Sequence, residues 1–378
     1  MDERTSVTRP GRLAAATRHL ADQALDGLIA VSNGLNNFLE SNAVYVFSGV
    51  RPIGESAVVL DRDGASTLIV TPAWDEARAA AASSTDRTVG TDDLAATLKS
   101  VVGTHRLDLS RSISVGLSLL GGALVDRIAS ALGALPKAAD ELARDLARVR
   151  APDELAAAER ATWIAERGYE RLLEYARPGI REFELAAELY CFMKKLGAED
   201  NFLLMSASQH NLAVRAAGER VLDVGDIILS ELTPCYRGQF AQICRTTVIG
   251  EPRPMIREKF AILQDAMGEG LHAGRAGATV ADVTRAINGV IHKAGYGDYC
   301  RPPYMRVRGH GLGITSDRPG DIVDTNTRTL ESGMIFVMHP NQYIPESGYL
   351  MCGEPVVVTD DGARALSARP AELDVIAV

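Results

Sequence analysis

The sequence predicts two domains of mixed helix and strand, an α/β unit over residues 1–147 and a larger α+β unit over 148–378. Three observations carry this expectation. In the first third, strand-like runs alternate with helical ones. A long helical stretch from Asp140 to Arg177, interrupted at Pro152, then changes the pattern. After two further helices the remaining chain is rich in short β-type runs separated by glycine and proline.

Each element has its own signal. RLAAATRHLADQAL reads as a helix and DGLIAVS as the strand that follows it. GESAVVLDRDGASTLIVTP reads as a hairpin turning at Asp63-Gly64. WDEARAAAAS returns to helix, SISVGLS to strand, and GALVDRIASALG to helix. Past Pro152, Asp153 and Glu154 suit the positive end of a new helix. PGIREFELAAELYCFMKKLG is a turn and an amphipathic helix, and DVGDIILSELTPCYRGQFAQICRTTVIG is two strands around Cys235–Gly238. Helices are expected from about Arg257 to Ala273 and from Val280 to Ala294.

Composition excludes several partners. Hydrophobic residues make up 46% and charged residues 24%, an ordinary globular balance. The formal net charge of -9, with no basic run, argues against nucleic acid. No apolar stretch approaches the roughly 18 residues that a bilayer span needs, so no membrane partner is expected. MDERTSVTRP lacks the apolar segment of a signal peptide, and the five scattered cysteines suit free thiols. A cytoplasmic location is the expectation.

Two histidines draw attention. His310 sits in a glycine cradle, RGHGLGI, and His339 ends the apolar run Met334–Met338, short enough for one buried strand. Around them, RAPDELAAAERATWIAERG, PGIREFELAAEL, VLDVGDIILSEL, YRGQFAQICRTTVIG, GHGLGI, LESGMIFVMHP and VVVTDDGARALS follow one another in register. In that order and spacing the second half resembles the M24 family, the pita-bread fold of methionine aminopeptidases, Xaa-Pro aminopeptidases, prolidases and metal-free creatinases. The first half resembles the creatinase/prolidase N-terminal domain. The resemblance implies a pita-bread domain over 148–378, a smaller α/β domain over 1–147, and a homodimer.

It also implies where a metal pair would sit. Family peptidases hold two divalent ions through Asp, Asp, His, Glu and Glu. Those places fall here on Glu231, on Gln242 eleven residues later, on His310, on His339, and within MCGEP on Cys352, Gly353 or Glu354. Two adjacent cations need bridging anions to offset their repulsion. The neutral amide of Gln242 and the loss at the last place remove such bridges, so no cofactor is the favoured expectation. The peptidases' His-Glu-Pro is replaced by Asp317-Arg318-Pro319, and the upstream family histidine is missing near Val214 unless His210 substitutes for it.

Three functional readings remain. The first is a creatinase-like enzyme, a hydrolase or lyase, acting on a C–N bond of a small polar substrate. His310 and His339 would move protons, Glu231 would orient one of them, and Gln242 and Cys244 would line the wall. Arg318, with Arg51 from the N-terminal domain of a partner subunit, would hold a substrate carboxylate. The second is a mononuclear iron or zinc enzyme with His310, His339, Glu231 and Gln242 as ligands. The third is a non-catalytic binding module of the same fold, which the retained polar side chains argue against.

Other residues have plainer explanations. Cys244 reads as a core thiol ahead of a nucleophile. His19, His105, His272 and His292 lack any partner pattern, and Arg245-Thr246 reads as scaffolding. Trp74 and Trp163 read as packing, and Tyr236 and Tyr304 have no spacing argument behind them.

Overall fold

The computed structural model describes residues 9–35, 38–39, 42–314 and 318–378, and its contacts divide the chain into units Met1–Pro152 and Asp153–Val378. In the first unit the elements are α1 (Arg9–Asp22), β1 (Gly27–Ser32), α2 (Ala43–Ser48), β2 (Ser56–Asp61), β3 (Ser66–Val70) and α3 (Glu76–Ala82). They continue with β4 (Arg87–Gly90), α4 (Leu94–Thr104), β5 (Ser112–Val115), α5 (Gly122–Leu132), β6 (Lys137–Ala138) and α6 (Asp140–Ala147). One sheet runs in the order β4-β3-β2-β1-β5-β6. Every residue of β1 is buried, which is why GLIAVS is apolar nearly throughout instead of alternating. Ile29, Val31, Val59 and Ile69 pack with Leu98 and Ile128 from the covering helices. The hairpin turns as expected: β2 and β3 pair antiparallel, and Gly64 sits at φ +92° beyond Asp61.

The second unit contains α7 (Pro152–Tyr175), α8 (Glu182–Lys195), β7 (Asp200–Ser208), β8 (Ile227–Tyr236), β9 (Gln239–Phe240), β10 (Ile243–Ile249), α9 (Pro254–Ala273) and α10 (Val280–Lys293). Short strands follow: β11 (Gly309–Gly311), β12 (Ile335–Met338), β13 (Gln342–Ile344), β14 (Gly348–Leu350), β15 (Glu354–Val358), β16 (Ala363–Ala365) and β17 (Leu373–Ile376). Helix α9 begins at Pro254, ahead of the expected Arg257, because proline lacks the amide hydrogen that the first helical turn leaves unused. Strand β7, which the sequence does not announce by clean alternation, pairs with β8 along its whole length.

Two sheets position the site. One runs β17-β10-β8-β7, with β9 added to β8, and the other runs β11-β12-β15-β16. They are stitched together where Cys244 and Gly353 exchange backbone hydrogen bonds of 3.0 and 3.1 Å. Among the described residues no helix is long and apolar enough to cross a membrane.

Candidate active site

The stitch between the sheets gathers the residues that the motifs single out. On the first sheet, β8 and β10 place Glu231 directly opposite Cys244. Gln242, just before β10, donates its Nε2 to Glu231 Oε2 at 3.2 Å, and the Cys244 thiol lies 4.0 Å from Glu231 Oε1. On the second sheet, β11 carries His310 beside β12, whose end delivers His339. The two imidazoles meet edge to face, with ring centroids 5.4 Å apart and planes at 84°.

The backbone explains why His310 is flanked by glycine. Gly309 stands at φ +135°, and a Cβ there would lie 1.9 Å from the Val337 carbonyl oxygen of β12. Only glycine permits that approach. The open alternatives for the last ligand place are separated by geometry. A Cβ on Gly353 would lie 2.6 Å from Cys244 Sγ and 3.0 Å from His339 Cδ2, so position 353 is the one aimed between the two sheets. Glu354 is buried elsewhere, in ion-pair contact with Arg245 at 3.0 Å, and Cys352 is buried with its amide donating to Asn341 Oδ1.

Electrostatics set the protonation states. Burial pushes the Glu231 carboxyl up to about 7, against the hydrogen bond from Gln242, which favours the anion. Burial lowers the His310 pKa, while the Gly311 carbonyl opposes this. His339 is lowered further, by burial and then by its neighbour His310. Both imidazoles are therefore neutral near pH 7, while Glu231 is partly protonated. His310 Nδ1 lies 3.0 Å from the Gly311 carbonyl, an acceptor, which places the proton on Nδ1. Burial raises the Cys244 thiol well above its usual value, so it stands as a protonated wall residue.

Two buried atoms have no partner in the cluster: Nε2 of His339 and Oε1 of Gln242. Leaving such atoms unsatisfied costs about 1–3 kcal/mol each, and an incoming ligand would bond to them.

One expected role changes. Glu231 does not orient a histidine: its hydrogen-bond partners here are Gln242 and the Cys244 thiol, and His310 Nδ1 faces the Gly311 carbonyl. Of the expected anion-holding residues, Arg318 is half-buried next to residues 315–317, and Asp317 lies outside the described residues. Arg51 belongs to the other unit, where its carbonyl accepts from Arg78 Nη2 at 3.1 Å. His210 is exposed, edge-on to Tyr343 at 6.1 Å. Two residues that the sequence reading passed over join the cluster. Asn341 hydrogen-bonds Cys244 and Tyr349, and Tyr349 is held protonated by burial and by the nearby Glu231 and Cys244. Asn341 stands two residues beyond His339, the one signal that would have found it.

The donor set does not fit a metal pair, because Gln242 brings no charge and Gly353 no donor atom.

Two expectations follow from this geometry. Gly353→Ala would press a methyl onto Cys244 and His339, so a loss of about 1–3 kcal/mol in urea unfolding is expected; an unchanged midpoint would show that the space is open. His339 has its folded pKa below the unfolded value, so the unfolded state binds the proton first and stability falls as pH drops below about 6.5. Thermal melts between pH 7 and 5 should show a shallower decline in His339→Gln than in the parent.

Comparison with known proteins places the arrangement. The model of metallopeptidase family M24 matches residues 156–360, more than half of the chain. The Xaa-Pro dipeptidase of Pyrococcus furiosus is 26% identical over 334 residues, covering 87% of this chain and 92% of that protein. The solved Xaa-Pro dipeptidase from Bacillus anthracis superposes with a TM-score of 0.84 at 20% identity, covering 97% of this chain and 100% of that one. Dipeptidase PepE from Mycobacterium ulcerans superposes with a TM-score of 0.79 at 25% identity, covering 99% of each chain. The mixed helix-and-strand architecture is thus the pita-bread fold of these enzymes, and the chain belongs to metallopeptidase family M24.

Proposed function

We propose that this M24 protein is a hydrolase of a C–N bond in a small, nitrogen-rich substrate, working by imidazole and carboxyl proton transfer without a pair of metal ions. The observation that carries the reading is the pair of unpartnered buried atoms, His339 Nε2 and Gln242 Oε1, beside a carboxyl whose pKa is pushed up to about 7. The amide oxygen, together with the imidazole in the tautomer that leaves Nε2 unprotonated, would select a ligand rich in N–H donors, such as an amide, amidine or guanidine.

In the proposed mechanism, neutral His339 accepts a proton from water at Nε2 while the water oxygen bonds to the substrate carbon. The C–N bond breaks, and the protonated carboxyl of Glu231 donates to the departing nitrogen. Gln242 Oε1 accepts from a substrate N–H group, and the ring of His310 packs edge to face against His339, so that the carbon is fixed between base and acid. Environments that push a carboxyl up and an imidazole down supply both proton donor and acceptor at one pH.

The pH dependence follows with its sign. Turnover requires neutral His339, so the acid limb of kcat/KM should fall below the ordinary imidazole range near 6.5. It also requires protonated Glu231, so activity should decline as pH rises through about 7. Glu231→Gln should remove that alkaline limb together with most of the turnover.

The relatives named above are dipeptidases, so the decisive assay compares substrate classes. Chelator-treated protein should release ammonia or an amine from small amides, amidines or guanidino compounds. Turnover confined to Xaa-Pro dipeptides, and only with added divalent metal, would overturn the proposal. A second reading, one iron or zinc ion on His339 with Gln242 and His310, is favoured by the same unpartnered atoms, and chelator-sensitive turnover with one ion per chain would support it. Action as a homodimer belongs to the same proposal, and sedimentation velocity tests it.

A further inference from the structure

Away from the imidazole pair, a cavity of about 150 Å³ opens between α10 and the loops around residues 300–308 and 322–324, and Arg308 lines it. Arg308 is 1% exposed, as deeply buried as Arg245. The two arginines are satisfied differently. Arg245 contacts the Glu354 carboxylate at 3.0 Å. Arg308 meets only neutral acceptors: Nε donates to Asn288 Oδ1 at 2.7 Å, Nη1 to the Asn341 carbonyl at 2.8 Å, and Nη2 to Gln342 Oε1 at 2.8 Å and Cys300 Sγ at 3.2 Å.

A guanidinium carries five N–H donors, and these bonds occupy four. Among the described residues no carboxylate balances its charge. A buried cation without an anion costs several kcal/mol unless its partner arrives from outside. Burial lowers the Arg308 pKa, consistent with a charge lacking compensation. The cavity lining adds the exposed Arg306 and Arg301 against a single acid, the exposed Asp324. Arg301 reaches Asp298 only at 3.4 Å, across a solvent-exposed pair of little strength.

We propose that this cavity is a binding site for a small oxyanion, a carboxylate or phosphate group, which accepts from the Arg308 guanidinium and from Arg306 at its mouth. The site is separate from Glu231, His310 and His339, none of which lines the cavity. It is nevertheless tied to them, because the Arg308 carbonyl accepts from the His339 amide at 2.8 Å and the Arg308 side chain grips Asn341 and Gln342. An anion in the cavity therefore stiffens the segment that carries His339.

The test uses the full chain, titrated by calorimetry with inorganic phosphate and with acetate at constant ionic strength set by chloride. One saturable site per chain is expected, accompanied by a rise in Tm. Binding of phosphate alone would identify a phosphoryl group as the ligand, and competition by acetate a carboxylate. Arg308→Gln should abolish binding. Arg306→Gln, at an exposed position that leaves the buried network intact, should weaken it about tenfold, as for the loss of one charge-assisted hydrogen bond. Absence of saturable binding, or equal affinity in the parent and in Arg306→Gln, would overturn the proposal. So would thiolate absorbance at neutral pH that disappears in Cys300→Ser, because Cys300 would then already supply the missing anion.

Discussion

His339→Ala is expected to lower kcat/KM by about 10²–10⁴-fold, the usual contribution of a positioned proton-transfer group, with the fold retained. The loss should be chemical because the backbone of His339 keeps its place. Its amide donates to the Arg308 carbonyl at 2.8 Å, and alanine preserves that bond. What alanine removes is the ring, whose Nε2 is buried without a partner and whose protonation is opposed by burial and by His310. Circular dichroism and a melt close to the parent's would confirm that the variant folds. His310→Ala should cost less in kcat, since in the proposed mechanism His310 packs against the base and does not itself activate water. Parental turnover in His339→Ala would remove imidazole chemistry from the account.

Arg245→Met is expected to destabilise the protein by about 3–5 kcal/mol, the cost of stranding one partner of a buried ion pair. Arg245 is enclosed by Glu354 and by the carbonyls of Gly353 at 2.8 Å, Cys244 at 3.1 Å and Arg369 at 3.2 Å. Burial, the largest influence, works against its charge, and Glu354, Tyr169 and Cys352 together raise its pKa. The contact with Glu354 is close without hydrogen-bond alignment, so its value lies in charge compensation. Removing the guanidinium leaves Glu354 buried with Ser367 as a hydrogen-bond partner, and takes one donor each from the carbonyls of Gly353, Cys244 and Arg369. Urea unfolding of Arg245→Met, Glu354→Leu and the double variant measures this. The double variant should recover part of the loss, because neither charge is then stranded. A cost below about 1 kcal/mol in the single variant would show that the pair is dispensable.

How much of this was legible in the sequence depends on the kind of signal. The strand ending at His339 could be read because Met334–Met338 is an apolar run bounded by glycine and proline, and β12 is buried throughout. The hairpin at Gly64 rests on similarly local chemistry. The cluster of Glu231, Gln242, Cys244, His310 and His339 was legible only through ordered motifs, because the residues come from strands distant in sequence. The last ligand place was not legible at all. Counting from either side of MCGEP gives different residues, and of these Gly353 is the one whose Cβ would meet Cys244 and His339. Glu231 looked like a partner for histidine because carboxylates commonly orient imidazoles, but pairing across β8 and β10 brings it to Gln242. Tyr349 carries no spacing signal: its place follows from the β13–β14 ribbon, whose register the sequence does not specify.

The central claim is that this cleft lacks the negative charge to hold two cations together. Metal content of the purified chain, measured after equilibration with manganese, cobalt, iron or zinc and removal of loosely held ions, tests it most directly. At most one ion per chain is expected, with no second ion appearing as metal is raised to tenfold excess. Two firmly held ions per chain, seen as neighbouring anomalous peaks between Glu231 and His339, would contradict the account.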